Sequence, residues 1–175
     1  TVPGGSILGL IGENGAGKTT LIKSMLGITR PTAGAVKLLG TNPDRAKEDI
    51  GIVLDDCFFS EYLRVRDVET VLCRVFKTWD KGLYRDCLDK FGLSGAKNIK
   101  ELSRGMRMKL SLAAALAHRP RLLLLDEATA GLDPVVRDEI LDEFLAFVSD
   151  EDHAILISSH ITSDLEKVAD YIAYL

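Results

Sequence analysis

The segment Gly12-Glu13-Asn14-Gly15-Ala16-Gly17-Lys18-Thr19 has the spacing G-x-x-x-x-G-K-[ST]. Glycines at those positions let backbone N–H groups turn inward around phosphate oxygens. A helix opening at the end of such a loop adds a partial positive charge. Gly12, Asn14, Gly15, Ala16, Gly17, Lys18, Thr19 and Thr20 are therefore the candidate phosphate-binding residues. Lys18 has the reach for the β- and γ-phosphates of a nucleoside triphosphate, and the Thr19 hydroxyl suits Mg²⁺.

A second group of chemistry-bearing residues closes an apolar run, Leu122-Leu123-Leu124-Leu125-Asp126-Glu127. A carboxylate beside a buried strand is costly unless something pairs with it. Asp126 suits Mg²⁺ through water. Glu127 suits a water molecule that it polarises or deprotonates. An apolar run ending in two acids also describes a strand giving way to a loop; the phosphate loop upstream favours the chemical reading.

The elements that must position these groups follow from apolar patterning. Ser6–Ile11 reads as a buried strand feeding the Gly-rich loop, with a helix over Thr19–Leu26 ending at Gly27. Ala35–Leu39, Gly51–Leu54, Leu122–Leu125 and Ala154–Ile157 read as further strands, and the chain stops at Leu175 within another. The four-leucine run suits a central parallel strand covered on both faces. Between the second and third of these strands the texture turns helical: Val68, Val71, Leu72, Val75 and Phe76, then Tyr84, Cys87, Leu88 and Phe91, then Leu110, Ala113, Ala114 and Ala117. Asp133-Pro134 predicts an N-cap and first helical residue, with Val136, Ile140, Phe144 and Phe147 on one face. Ser163-x-x-Glu166 predicts a capping box for a last short helix. Strands alternating with helices and lacking tight hairpins imply an α/β fold with a mainly parallel sheet. Ligands of such sheets bind at the carboxyl ends of strands, where these motifs fall.

Between the loop and the acids lies Leu102-Ser103-Arg104-Gly105-Met106, which resembles the ABC signature sequence, usually written LSGGQ. Ala130-Gly131-Leu132-Asp133 resembles the D-loop, and Ser158-Ser159-His160 resembles the switch-histidine segment. The order and spacing of the whole set are those of the ABC ATPases, over nearly the whole chain. The resemblance implies a P-loop NTPase core with a mainly parallel sheet. It makes residues 1–175 one ABC ATPase domain, with a helical subdomain at about 60–118 inserted in the α/β core. It implies ATP and Mg²⁺ as cofactors, with Lys18, Glu127 and His160 as catalytic residues and Thr19 and Asp126 at the metal. It implies a head-to-tail dimer with a second ATPase domain, identical or different, whose Ser103 and Gly105 act in trans. Ser103 also precedes a helical pattern, so it is either a simple N-cap or part of an anion site at a helix start.

Further implications are a membrane-spanning permease partner, a location at the cytoplasmic face of the membrane, and transport powered by ATP hydrolysis. Arg104 and Met106 replace the usual Gly and Gln of the signature, and L-S-R-G-M resembles the branch exporting drugs and peptide antibiotics. Asp55 stands where the family has a Gln that joins the Mg²⁺ site. Asp55 either binds the metal or its water, or is a loop acid without that role. Family members carry an adenine-stacking aromatic before the first strand, whereas only Thr1–Gly5 precede it here. The antiparallel β part is therefore expected to be missing and the chain to be a fragment of a longer polypeptide. Two other functions remain open: a repair- or translation-type ABC ATPase without transport, and a low-turnover nucleotide-binding regulatory module.

Composition narrows the field. The 175 residues are 46% hydrophobic and 27% charged, an ordinary globular balance, and the formal net charge of −4 argues against a nucleic-acid partner. Cys57, Cys73 and Cys87 are far apart, without metal-ligand spacing, and are expected to be free thiols of a reducing compartment.

Overall fold

The structure, a computed structural model, describes every residue except Thr1 and Asn14. Its sheet has five parallel strands among the described residues: β1 (Ser6–Ile11), β2 (Ile50–Val53), β3 (Leu122–Asp126), β4 (Ala154–Ser158) and β5 (Tyr171–Tyr174). The spatial order is β2-β3-β4-β1-β5. Because all strands run the same way, their carboxyl ends share one edge of the sheet. Along that edge the ends of β2, β3, β4 and β1 follow one another.

Helices make the crossovers: α1 (Lys18–Met25), α2 (Pro43–Ala46), α3 (Val65–Leu72), α4 (Lys81–Lys90), α5 (Arg104–Leu116), α6 (Pro134–Val148) and α7 (Thr162–Val168). Both faces of the sheet are covered, which is why β3 tolerates four consecutive leucines. Leu123 and Leu125 pack with Ile155, Ile157, Phe144, Tyr84 and Leu112 on one face. Leu122 and Leu124 point the other way, toward Ile22, Ile50 and Leu156. Between β2 and β3, α5 carries Ala113, Ala114 and Ala115 buried, and these small side chains let it lie close to β2 and α4. Among the described residues no helix is long and apolar enough to cross a membrane. Cys57, Cys73 and Cys87 are free; burial, with Glu143 nearby, pushes the Cys87 thiol up to about 11.

The α/β class and the parallel sheet are as the sequence implies, with strand and helix ends shifted by about a residue. Three local expectations fail. No strand forms over Ala35–Leu39; there is only a bridge between Leu38 and Thr41. Leu39 and Gly40 both have positive φ, 49° and 77°, so the chain turns where the strand should have continued. The helix through Val68 ends at Leu72, leaving Val71 and Val75 exposed, while Phe76 stacks on His118 with ring centroids 4.1 Å apart. The Ser163–Glu166 capping box is absent. The Ser159 hydroxyl accepts the Ile161 N–H at 3.0 Å, so the chain turns earlier and α7 starts at Thr162 with Ile161 as its cap.

Candidate functional site

The Gly-rich loop leaves β1 and enters α1 directly. Gly15 and Gly17 have φ of 89° and 109°, a left-handed backbone that L side chains adopt at a cost. Gly17 caps α1 without a side-chain hydrogen bond, and the first turn holds no acid. Among the described residues no side chain caps this helix start, and its N–H groups form an anion-seeking end. Lys18 is buried, and its ammonium donates to the Gly12 carbonyl at 2.7 Å and the Glu13 carbonyl at 3.2 Å. It therefore folds back over the loop it belongs to. Asn14 lies outside the described residues.

Asp126 is the last residue of β3 and pairs in register with Ser158 of β4. The Ser158 hydroxyl donates to Asp126 Oδ1 at 2.5 Å and accepts the Glu127 N–H at 3.3 Å, and the Ser158 carbonyl accepts that N–H at 3.1 Å. Asp126 is thus buried but partnered, which answers the desolvation cost. Glu127 has φ of 54°. A non-glycine residue in the left-handed region costs about 1–2 kcal/mol, and such strain collects at functional sites. The turn it makes aims its carboxylate along the strand-end edge. There the His160 Nδ1–H donates to Glu127 Oε2 at 2.6 Å, and the His160 N–H approaches the same oxygen at 3.4 Å.

Glu127 also lines a cavity of about 230 Å³ whose other walls are Gly15, Gly17, Lys18, Thr19 and Thr20. A second, open hollow is lined by His160 together with Ile11, Gly12 and Glu13. Parallel pairing of β1, β3 and β4 is what brings the loop, the acids and the histidine to one place.

Ser103 and Gly105 are not on that cavity. Ser103 is the N-cap of α5, its hydroxyl accepting the Met106 N–H at 3.3 Å. Gly105 is buried against α6, where an added Cβ would lie 3.0 Å from Val136 Cγ1. Between them, Arg104 reaches the Asp55 carboxylate at 2.6 Å and lies against Gly131. Asp55 follows the end of β2, as its sequence position implies, but its partner is a guanidinium. Among the described residues no three His, Cys, Asp or Glu side chains converge as a metal-ligand cluster.

Three participants escape the sequence patterning. Ser158 is the hydroxyl between the two acids, and its placement at the end of an apolar strand beside His160 is the available clue. Arg104 and Arg137 act through contacts made only in the folded chain. Arg137 donates to the Leu132 carbonyl at 3.0 Å and stands 3.6 Å from the buried Asp164.

The profile of the family described as "ABC transporter" matches residues 1–130. The chain is 39% identical, over 99% of its length, to the bacitracin transport ATP-binding protein BcrA of Enterococcus faecalis, and spans 58% of that protein. It is 33% identical, over 99% of its length, to the lantibiotic transport ATP-binding protein SrtF of Streptococcus pyogenes, spanning 76% of it. Among solved structures, an ATP binding subunit of an ABC transporter superposes with a TM-score of 0.89 at 25% identity. That match covers 100% of this chain and 76% of the other.

Proposed function

This chain belongs to the ABC transporter family, and from that premise we propose that it binds ATP with Mg²⁺ and hydrolyses it to drive transport through a membrane-spanning partner. The observation that carries the reading is the single cavity walled by Lys18, Thr19 and Glu127, with Glu127 hydrogen-bonded to His160. Elements far apart in sequence supply these groups, and only the parallel sheet joins them.

The residues fit a hard cation. Mg²⁺ takes oxygen ligands and is held by one or two protein groups plus substrate phosphates, so a hydroxyl and a carboxylate suffice. Thr19 lines the cavity, and Asp126 has one oxygen fixed by Ser158. When bound, the metal supplies charge neutralisation at the phosphate oxygens. Lys18 leaves the loop carbonyls for the phosphates, with the α1 N–H groups beside it. Glu127 accepts a proton from the attacking water as its oxygen bonds to the γ-phosphorus and ADP leaves. His160 fixes the Glu127 carboxylate through Nδ1, which leaves Nε2 available to the γ-phosphate.

Ser103 and Gly105 lie off the cavity, which agrees with their serving the nucleotide of a second ATPase domain in a head-to-tail dimer. The similarity to bacitracin and lantibiotic transport proteins supports a peptide-like cargo, and the resemblance of the L-S-R-G-M segment supports the export direction. The work would then be done at the cytoplasmic face of the membrane.

Titration of the full-length protein with ATP and Mg²⁺ tests the site. A charge-assisted contact of about 1.5–3 kcal/mol is lost in Lys18→Ala, so affinity falls by about tenfold to a hundredfold. Equal affinities would remove the loop from the nucleotide site.

A further inference from the structure

Glu127 and His160 sit on two loops that leave neighbouring strands. One runs from Asp126 through Glu127 to Leu132 and enters α6. The other runs from Ser158 through His160 to Asp164 in the first turn of α7. At their roots the loops are joined by the Asp126–Ser158 register and the Glu127 N–H to the Ser158 carbonyl. Midway they touch through His160 Nδ1 and Glu127 Oε2.

Their far ends are joined as well. Arg137, in the first turns of α6, donates through one guanidinium nitrogen to the Leu132 carbonyl at 3.0 Å and sets the other 3.6 Å from Asp164 Oδ1. The Asp164 side chain is 2% exposed and that of Arg137 24%. The segments therefore form a ring tied at root, middle and far end, and the reactive contact is the middle tie. The planar guanidinium fork is pre-organised to hold a carbonyl and a carboxylate at once, with less freedom lost per contact than a flexible ammonium would lose. A buried ion pair is weak evidence for stability as such, because packed apolar side chains of similar volume often do as well.

We infer that Arg137 and Asp164 are positioning residues that hold His160 on Glu127 by closing the ring of the two loops. The inference rests on the roles given to Glu127 and His160 above. With the far tie removed, the loops stay joined at the root and the His160–Glu127 contact loosens.

The test uses full-length protein and four variants. Arg137→Met alone leaves the Asp164 charge buried without its partner and lowers Tm. Arg137→Met/Asp164→Leu removes both charges and recovers Tm. In that double variant kcat for ATP falls by about a hundredfold, the scale of a misplacement near 1 Å, while nucleotide affinity holds. The ¹⁵N imidazole signals of His160, assigned with His160→Gln and read without nucleotide, move in the double variant toward those of Glu127→Gln. A double variant with wild-type Tm, wild-type kcat and unmoved signals overturns the inference. If the wild-type protein does not hydrolyse ATP, the proposed reaction falls. The His160 signals then decide alone: a shift upholds the positioning role and no shift overturns it.

Discussion

The Arg104 guanidinium lies 2.6 Å from the Asp55 carboxylate, joining the first residue of α5 to the loop after β2 across 49 positions of sequence. These are two of the positions at which the chain departs from the family's pattern. Each departure supplies the charge that the other needs. The pairing favours Asp55 as a counter-ion of Arg104 over Asp55 as a metal ligand. Asp55→Ala should therefore leave the Mg²⁺ dependence of ATP binding unchanged. Both side chains are about half exposed, so the loss of the pair should change stability by less than about 1 kcal/mol and less still at high salt. A tenfold rise in the Mg²⁺ requirement, read by ATP titration, would return Asp55 to the metal.

His118 makes stability depend on pH. Its ring is buried and its Nε2–H donates to the Ile50 carbonyl at 3.0 Å. Burial holds the imidazole below its ordinary value and keeps it neutral in the fold. The unfolded chain takes up a proton near the usual value of about 6.5, so acid favours unfolding. This contribution is complete above that value and is lost as pH falls toward the lower folded value. Urea midpoints at about pH 8 and about pH 5.5 should differ more for the wild type than for His118→Gln, which can still donate to Ile50. Equal differences would clear His118.

Catalysis across an interface has its own signature. Ser103→Glu puts a carboxylate at the start of α5, where the partner's γ-phosphate is proposed to dock. That variant should still bind ATP in its own loop but fail to pair or hydrolyse. Lys18→Ala keeps an intact Ser103 face. Mixing the two full-length variants rebuilds one composite site, and ATPase activity should return to a fraction of the wild-type rate. Full activity of Ser103→Glu alone would separate the α5 start from the reacting phosphate.

The sheet and the strand-end groups were legible because the strands that carry them are short apolar runs closed by glycine or polar residues. Ser6–Ile11 ends in glycines, Leu122–Leu125 in acids, and Ala154–Ile157 in Ser158, Ser159 and His160. Local chemistry was also enough for the α6 start, where Asp133 accepts the Val136 N–H at 3.1 Å. Most of what failed or was missed depends on partners distant in sequence. Ala35–Leu39 carries strand-like residues but finds no neighbouring strand among the described residues. Ser163 and Glu166 match a capping pattern, yet Ser159 had already turned the chain. The Arg104–Asp55 and Arg137–Asp164 pairs exist only once the helices pack, and single charged residues give no signal of such contacts.

Glu127, turned away from β3 by a left-handed backbone and held by His160, is the group proposed to handle the attacking water. Glu127→Gln keeps the size and removes the base. Side-by-side measurement of ATP affinity and steady-state turnover in full-length wild type and Glu127→Gln tests this most directly. ATP binding should be unchanged and turnover lower by about 10²–10⁴. Turnover at the wild-type rate in Glu127→Gln would contradict that role.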